Sequence, residues 1–314
     1  MKKILNLFAS IACVSIASSE VVACSGSKET TETIQLDYYD DRTYLQKQAQ
    51  EKIEQERNAK NPNGKKVILL GYDGIDFNQA QEKLFNDVDG IKMIKDYAIQ
   101  NYESVHGWNS ILFGNILKDD HSIFGVLPDL KTGMVSDWVG LGRDILNENE
   151  NRPTNWYDFV EEVWGGYSNV HEYDSIEDIQ KRTSDVFEKT KEMIQDNDFI
   201  FQYDVFADEE GHSGFDYDTD MVNATLNDYH KNIEYYFDSN NFDPKNTLVI
   251  GVTDHGRNAD GLVHTYEDTN NRRSWMIANQ DVDQFLTAPN EDNYTRHLEN
   301  FYDIKEIVYN YLKA

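Results

Sequence analysis

Cysteine is almost missing from this chain of 314 residues; the two it has, Cys13 and Cys24, lie close to the N-terminus. Beyond residue 24 there is no thiol, which excludes disulfides, cysteine-ligated metals and cysteine nucleophiles there. Cationic side chains are also scarce, with 29 Lys and Arg against 57 Asp and Glu and a formal net charge of −28. Neutralising phosphates requires clustered Lys and Arg, so a nucleic-acid-binding surface is excluded. The excess acidity accounts for solubility and self-repulsion, and attraction of divalent cations is a secondary reading of it. Past the N-terminal region no apolar run approaches the roughly 20 residues of a membrane-spanning helix. No internal repeat is present.

The N-terminus reads as an export signal. Met1-Lys2-Lys3 is followed by the mostly apolar Ile4–Ala17 and then by Val21-Val22-Ala23-Cys24. The order of charge, apolar run and small residue is that of a secretory signal, and its end resembles a bacterial lipobox. Residues 1–23 are therefore expected to be a signal peptide and Cys24 the acylated residue, against the alternative of a plain signal with a chance cysteine. The resemblance implies a lipid anchor in the cell membrane, on its extracytoplasmic face, and stable anchoring takes more than one acyl chain. Residues 24–64 have the composition of a polar tether. Within it Tyr44–Lys60 is predicted as an exposed helix, ended by Asn61-Pro62-Asn63-Gly64.

From Lys65 onward apolar runs alternate with amphipathic stretches, so residues 65–314 are expected to form one α/β domain with a central, mostly parallel sheet flanked by helices. The pattern predicts strands at Val67–Gly71, Phe199–Phe206, Thr247–Thr253 and Ser274–Ala278. It predicts helices at Asn78–Gln100 with a break near Gly90, and at Trp108–Leu117, Asp174–Asp196, Asp216–Asp238 and Arg296–Leu312. A short extended piece is expected to reach Glu103-Ser104.

Potential metal ligands follow three of the apolar runs. Asp73 follows VILLGY, Asp208 and His212 lie in FADEEGHSG, and Asp254 and His255 end TLVIGVTDH, with His264 nine residues later. Each alone is an ordinary cap or turn residue. Together they place three Asp and three His at strand ends on one expected rim, where open α/β sheets bind ligands. That mixture of carboxylate and imidazole suits borderline divalent ions such as zinc.

The order Asp73-Gly74, Asp208-x-x-x-His212-x-Gly214, Asp254-His255-Gly256 and a later His264 resembles the alkaline phosphatase superfamily, and more narrowly its type I phosphodiesterase, nucleotide pyrophosphatase and phosphatase branches. The resemblance covers about Val67 to Ala278. It implies an alkaline-phosphatase-like fold and two divalent ions, zinc by preference with manganese or magnesium as alternatives. Asp73, Asp254 and His255 would hold one ion, and Asp208, His212 and His264 the other. It also implies a hydroxyl nucleophile ten residues before the Gly that ends the following helix; with Gly114 as that Gly, the nucleophile is Ser104. The chain departs from the family in reading His264-Thr265 where His-Gly is usual, and His121-Ser-Ile-Phe-Gly125 where His-Gly follows the nucleophile helix. No counterpart of the phosphate-binding arginine is found.

A serine hydroxyl is a weak nucleophile at neutral pH. A bound dication and the positive end of a helix starting near Gly107 are the two expected activators of Ser104. His106 reads as a pocket wall, Trp108 as packing, and Ser110 as a hydroxyl buried inside the helix. Asp216-x-Asp218-x-Asp220 fails as a calcium loop because Met221 and Asn227 replace the required Gly and Glu. Ser104-Val-His-Gly-Trp108 lacks the arginine of a sulfatase motif, which counts against that relative. The expected function is hydrolysis of small phosphoric esters, diesters ahead of monoesters. A binding lipoprotein on an inactive scaffold is the alternative of a different class.

Overall fold

The computed structural model describes residues 61, 63–98, 103–114, 121–138, 140–146, 149–158, 175–264, 273–286 and 302–314. Cys24, the expected signal peptide, the Tyr44–Lys60 helix and residues 296–301 of the expected closing helix lie outside them. No described helix is long and apolar enough to cross a membrane.

Three runs predicted as strands form the centre of the sheet. They are β1 (Lys66–Tyr72), β5 (Phe199–Asp204) and β6 (Thr247–Val252), with β1 between the other two and parallel to both. Nearly every residue in them is buried, as expected of strands covered on both faces. The described sheet has seven strands in the order β2-β7-β6-β1-β5-β3-β4. At one side β3 (Thr132–Ser136) and β4 (Asn155–Asp158) continue it in parallel. At the other, β7 (Arg273–Ala278) pairs antiparallel to β6, and β2 (Met93–Ala98) pairs antiparallel to β7. The architecture is α/β with a central, mostly parallel sheet flanked by helices.

Alternation along the strands separates two cores. Val67, Leu69, Phe201, Leu248 and Ile250 face one side. There they meet α2 (Ser104–Phe113), through Trp108 and Ile111, and α6 (Tyr302–Lys313), through Ile304 and Val308. Ile68, Leu70, Ile200 and Val249 face the other side, against Leu226 and Ile233 of α5 (Asp220–Phe237). The amphipathic α3 (Ile176–Ile194) lies against β3, β5 and α5, and begins with a reciprocal capping box between Ser175 and Asp178. Burying each large aliphatic side chain stabilises the fold by about 1.5–3 kcal/mol.

The predicted helix over Asn78–Gln100 is corrected. A short helix, α1 (Phe77–Lys83), capped by Asp76, is followed by turns through Asp87 and Gly90, both with positive φ, and then by β2. Edge pairing to β7 outweighs the helical reading of MIKDYA. The strand predicted at Phe199–Phe206 stops at Asp204, and a further helix, α4 (Phe206–His212), begins almost at once. The helix predicted from Trp108 starts four residues earlier, at Ser104. It ends on Gly114 in the left-handed conformation (φ 69°), and Lys305 of α6 donates to the Phe113 carbonyl at 3.0 Å.

Candidate metal centre and nucleophile

The C-terminal ends of β1, β5 and β6 deliver the chemistry. Asp73 follows β1, α4 follows β5, and Asp254-His255 follows β6. In α4 the i, i+4 spacing sets Asp208 and His212 on one helical face, 3.1 Å apart from Oδ2 to Nε2. α2 approaches this rim closely because residue 107 is glycine; a Cβ there would stand 2.7 Å from Asp254 Cβ. As a result Ser104, the first residue of α2, lies over the rim. Its Oγ is 3.3 Å from Asp73 Oδ1, to which it donates, and 3.2 Å from His255 Nε2.

An inner cluster consists of Asp73, Asp254 and His255, all buried, with donor atoms within 4.8 Å of one another. His255 Nε2 is 3.3 Å from Asp73 Oδ1 and 3.6 Å from Asp254 Oδ2. The far side of Asp73 is tied down, with its Oδ2 accepting from Trp108 Nε1 at 3.0 Å and from the Tyr203 hydroxyl. Its Oδ1 is thereby turned towards Ser104 and His255. Burial, then the neighbouring Asp73 carboxylate, pushes the Asp254 carboxyl well above the usual carboxylate range. For His255 burial disfavours the charged ring, but the Asp254, Asp73 and Asp208 carboxylates together outweigh it and push the ring up to about 10.

Three observations fit this cluster to a dication. The donors are two carboxylates and an imidazole. Asp254 Oδ2 is buried with no hydrogen-bond partner. His255 Nδ1 donates to the Gly256 carbonyl at 3.0 Å, which orients the ring so that Nε2 faces inward and would offer its lone pair to a dication once its own proton is displaced.

The outer cluster differs. His264 Nε2 is 3.1 Å from His212 Nε2 and 4.0 Å from Asp208 Oδ1. The group with donors mutually within 4.8 Å is Asp208, His264 and His255, so His255 stands between the two clusters. The resemblance groups His212 with Asp208 and His264; in the structure His212 is the outermost member, its side chain half exposed. Burial pushes His264 down to about 4, aided by the charge on His255, while the hydrogen bond to Asp208 raises His212. Asp208 is buried, yet the Arg257 guanidinium beside it holds its carboxyl well below the usual range. Arg257 is fully buried and meets Asp208 Oδ1 at 2.6 Å from Nη2 and 2.8 Å from Nε.

The structure brings all six expected ligands and Ser104 to one rim. His106 is half exposed beside Glu103, and the Ser110 hydroxyl is spent on the His106 carbonyl at 2.8 Å. Trp108 packs as expected and also holds Asp73. Sequence reasoning missed Tyr203 and Arg257. Alternation in FIFQYD sets Tyr203 on the face of Phe199 and Phe201 at the strand's end, a signal that was available. Nothing in the local sequence assigns Arg257 to Asp208.

No protein-family model and no curated protein matches the chain. Solved structures do. A protein in the alkaline phosphatase superfamily from Vibrio parahaemolyticus is 13% identical over 77% of this chain and 64% of its own, with a TM-score of 0.47. Lipoteichoic acid synthase LtaP from Listeria monocytogenes is 14% identical over 71% and 66%, at 0.41. Alkaline phosphatase from the Antarctic bacterium TAB5 is 15% identical over 79% and 97%, at 0.49. Members of the alkaline phosphatase superfamily are thus among the structures this chain resembles. The match spans less than two thirds of the length of the first two.

Proposed function

We propose that this chain is a metal-dependent phosphoric ester hydrolase with Ser104 as nucleophile. The observation that supports it is the placement of Ser104 Oγ at the start of α2, 3.3 Å from Asp73 and 3.2 Å from His255. Asp73, Asp254 and His255 would hold one dication, and Asp208, His212 and His264 a second. Zinc suits the mixed donors best, with manganese or magnesium as alternatives. When bound, such ions supply Lewis acidity that eases loss of the serine proton and offsets charge on phosphoryl oxygens.

The chain's own groups do the rest. Ser104 Oγ forms a bond to phosphorus as the bond from phosphorus to the leaving alkoxide breaks. The hydroxyl proton passes to solvent and the departing alkoxide takes one up from solvent, because Asp73 and His255 would be occupied as ligands. The open backbone N–H groups of the first turn of α2 face incoming phosphoryl oxygens. Water then cleaves the bond between Ser104 and phosphorus, and the serine regains a proton. Arg257 is committed to Asp208, so a monoester dianion gains no guanidinium from it; diesters or nucleotide-like esters fit better. We also propose export and anchoring through lipid on Cys24, which would carry the domain on the outer face of the membrane. Mass spectrometry of the N-terminal peptide, finding an unmodified Cys24, would refute the anchor.

The test is hydrolysis of bis-p-nitrophenyl phosphate and p-nitrophenyl phosphate, with zinc, manganese or chelator. The diester is expected to turn over faster, chelator to abolish it, and Ser104→Ala to lower it by ~1,000-fold or more. A fully active Ser104→Ala would remove the nucleophile. Silence on both esters with metal bound would leave the binding lipoprotein.

A further inference from the structure

Arg257 is built into the site. Its Nη2 donates to the Asp208 carbonyl at 2.7 Å as well as to the Asp208 carboxylate, and its Nη1 donates to the carbonyls of Leu262 at 2.9 Å and Gly261 at 3.3 Å. Room for it is made by Gly211, one residue before His212. A Cβ on Gly211 would stand 2.5 Å from Arg257 Nη1 and would also meet the Gly261 carbonyl oxygen. The guanidinium therefore lies between α4, which carries Asp208 and His212, and the loop that carries His264.

The two clusters consequently differ in charge. The inner one offers two carboxylates and an imidazole, and among the described residues none of the three is paired with Lys or Arg. The outer one offers a single carboxylate, already neutralised, and two imidazoles. The guanidinium holds Asp208 Oδ1, the oxygen 4.0 Å from the Nε2 atoms of both His255 and His264, while Oδ2 faces His212. A cation approaching Asp208 meets the fixed positive charge of Arg257 behind it, and arginine cannot shed its proton to relieve that repulsion.

We infer that Arg257 makes the pair of metal positions unequal: the inner cluster holds its dication tightly, and Arg257 keeps the outer ion weakly held and exchangeable. This rests on the metal-dependent reading above. Arg257 is a positioning residue, acting on the site through Asp208 and through the tether to the loop of His264.

The test is calorimetric titration of the metal-free full chain with zinc, with chelator competition for the tight site. The wild-type protein is expected to bind two ions with affinities at least about 100-fold apart. Arg257→Gln removes the charge and is expected to tighten the weaker site at least tenfold while leaving the tighter one unchanged. Arg257→Lys retains the charge and is expected to keep the outer site weak. Near-ultraviolet circular dichroism identifies folded variants; should Arg257→Gln not fold, the wild-type affinities and the Lys variant decide. Two ions held within threefold of one another in the wild type, an unchanged weak site in a folded Arg257→Gln protein, or an outer site as tight in Arg257→Lys as the inner one would each overturn the inference. No zinc bound by any variant would instead defeat the metal-dependent reading itself.

Discussion

The strand ends of the central sheet present acids on both faces, and the two faces treat them differently. On the α2 face, Asp73, Asp254 and His255 converge to within 4.8 Å and His255 turns a nitrogen inward. On the α5 face, Asp204 follows Tyr203 by one residue and so points the other way. It accepts from Gln202 at 2.7 Å, and Gln202 in turn accepts from Tyr236 at 2.9 Å. Glu210 accepts from Thr225 of α5. Burial pushes Asp204 up to about 7 and Glu210 up to about 8. Neither belongs to a metal-capable group among the described residues. Buried acids thus converge on one face around a place for a cation, and on the other each is spent on a separate hydrogen bond, from Gln202 or from Thr225. Acidity alone does not make a site; convergence of lone pairs does.

Exchanging single atoms tests that contrast. The largest effect is expected from Asp254→Asn, which removes an inner donor. Zinc affinity of the inner cluster should fall by more than about 100-fold, beyond the 10–100-fold typical of outer partners. The metal-free variant should at the same time melt higher at neutral pH, because a carboxyl whose ionised form is disfavoured by burial and by Asp73 is gone. Unchanged zinc binding would break the comparison.

Tyr203→Phe comes next. It deletes one of the two donors to Asp73 Oδ2 and should weaken the inner site by ~10–100-fold while leaving the fold intact. Calorimetry with zinc measures it, and an effect under twofold would show that Trp108 alone suffices.

The smallest effect is expected from Asp204→Asn, which should leave zinc affinity within about threefold and alter only the pH dependence of stability. Asp204 holds its proton in the folded state up to about pH 7, whereas an unfolded aspartate releases it near pH 4. Between those values the native chain carries the extra proton, so stability falls as pH rises through the window and is level above it. The contribution is of the order of a few kcal/mol at most. Urea melts of chelator-treated protein at pH 4.5 and 7.5 should show a shallower loss in the variant. An identical loss in both proteins would mean that Asp204 is ionised in the fold.

How far the sequence could be read follows from the same physics. β1, β5 and β6 are covered on both faces, so their apolar runs stand out, and the candidate ligands come after them in the sequence. β2 was hidden because MIKDYA carries no strong period and owes its conformation to β7. β3 and β4 were hidden because TGMVS and NWYD are short and mixed, extended only by their neighbours. Ser104 and the six candidate ligands could be ordered by motif. The Asp208–Arg257 pair could not, since it depends on how the loop through Gly261 and Leu262 folds back.

The indole of Trp108 touches the candidate centre directly, with its N–H on Asp73 and its ring 4.9 Å from that of Tyr203 and 5.6 Å from that of Phe201. A fluorophore hydrogen-bonded to the Asp73 carboxylate senses the electric field there. Occupancy of the inner position should therefore be visible in the intrinsic emission of the protein, without label or substrate, and Trp108→Phe should silence that signal.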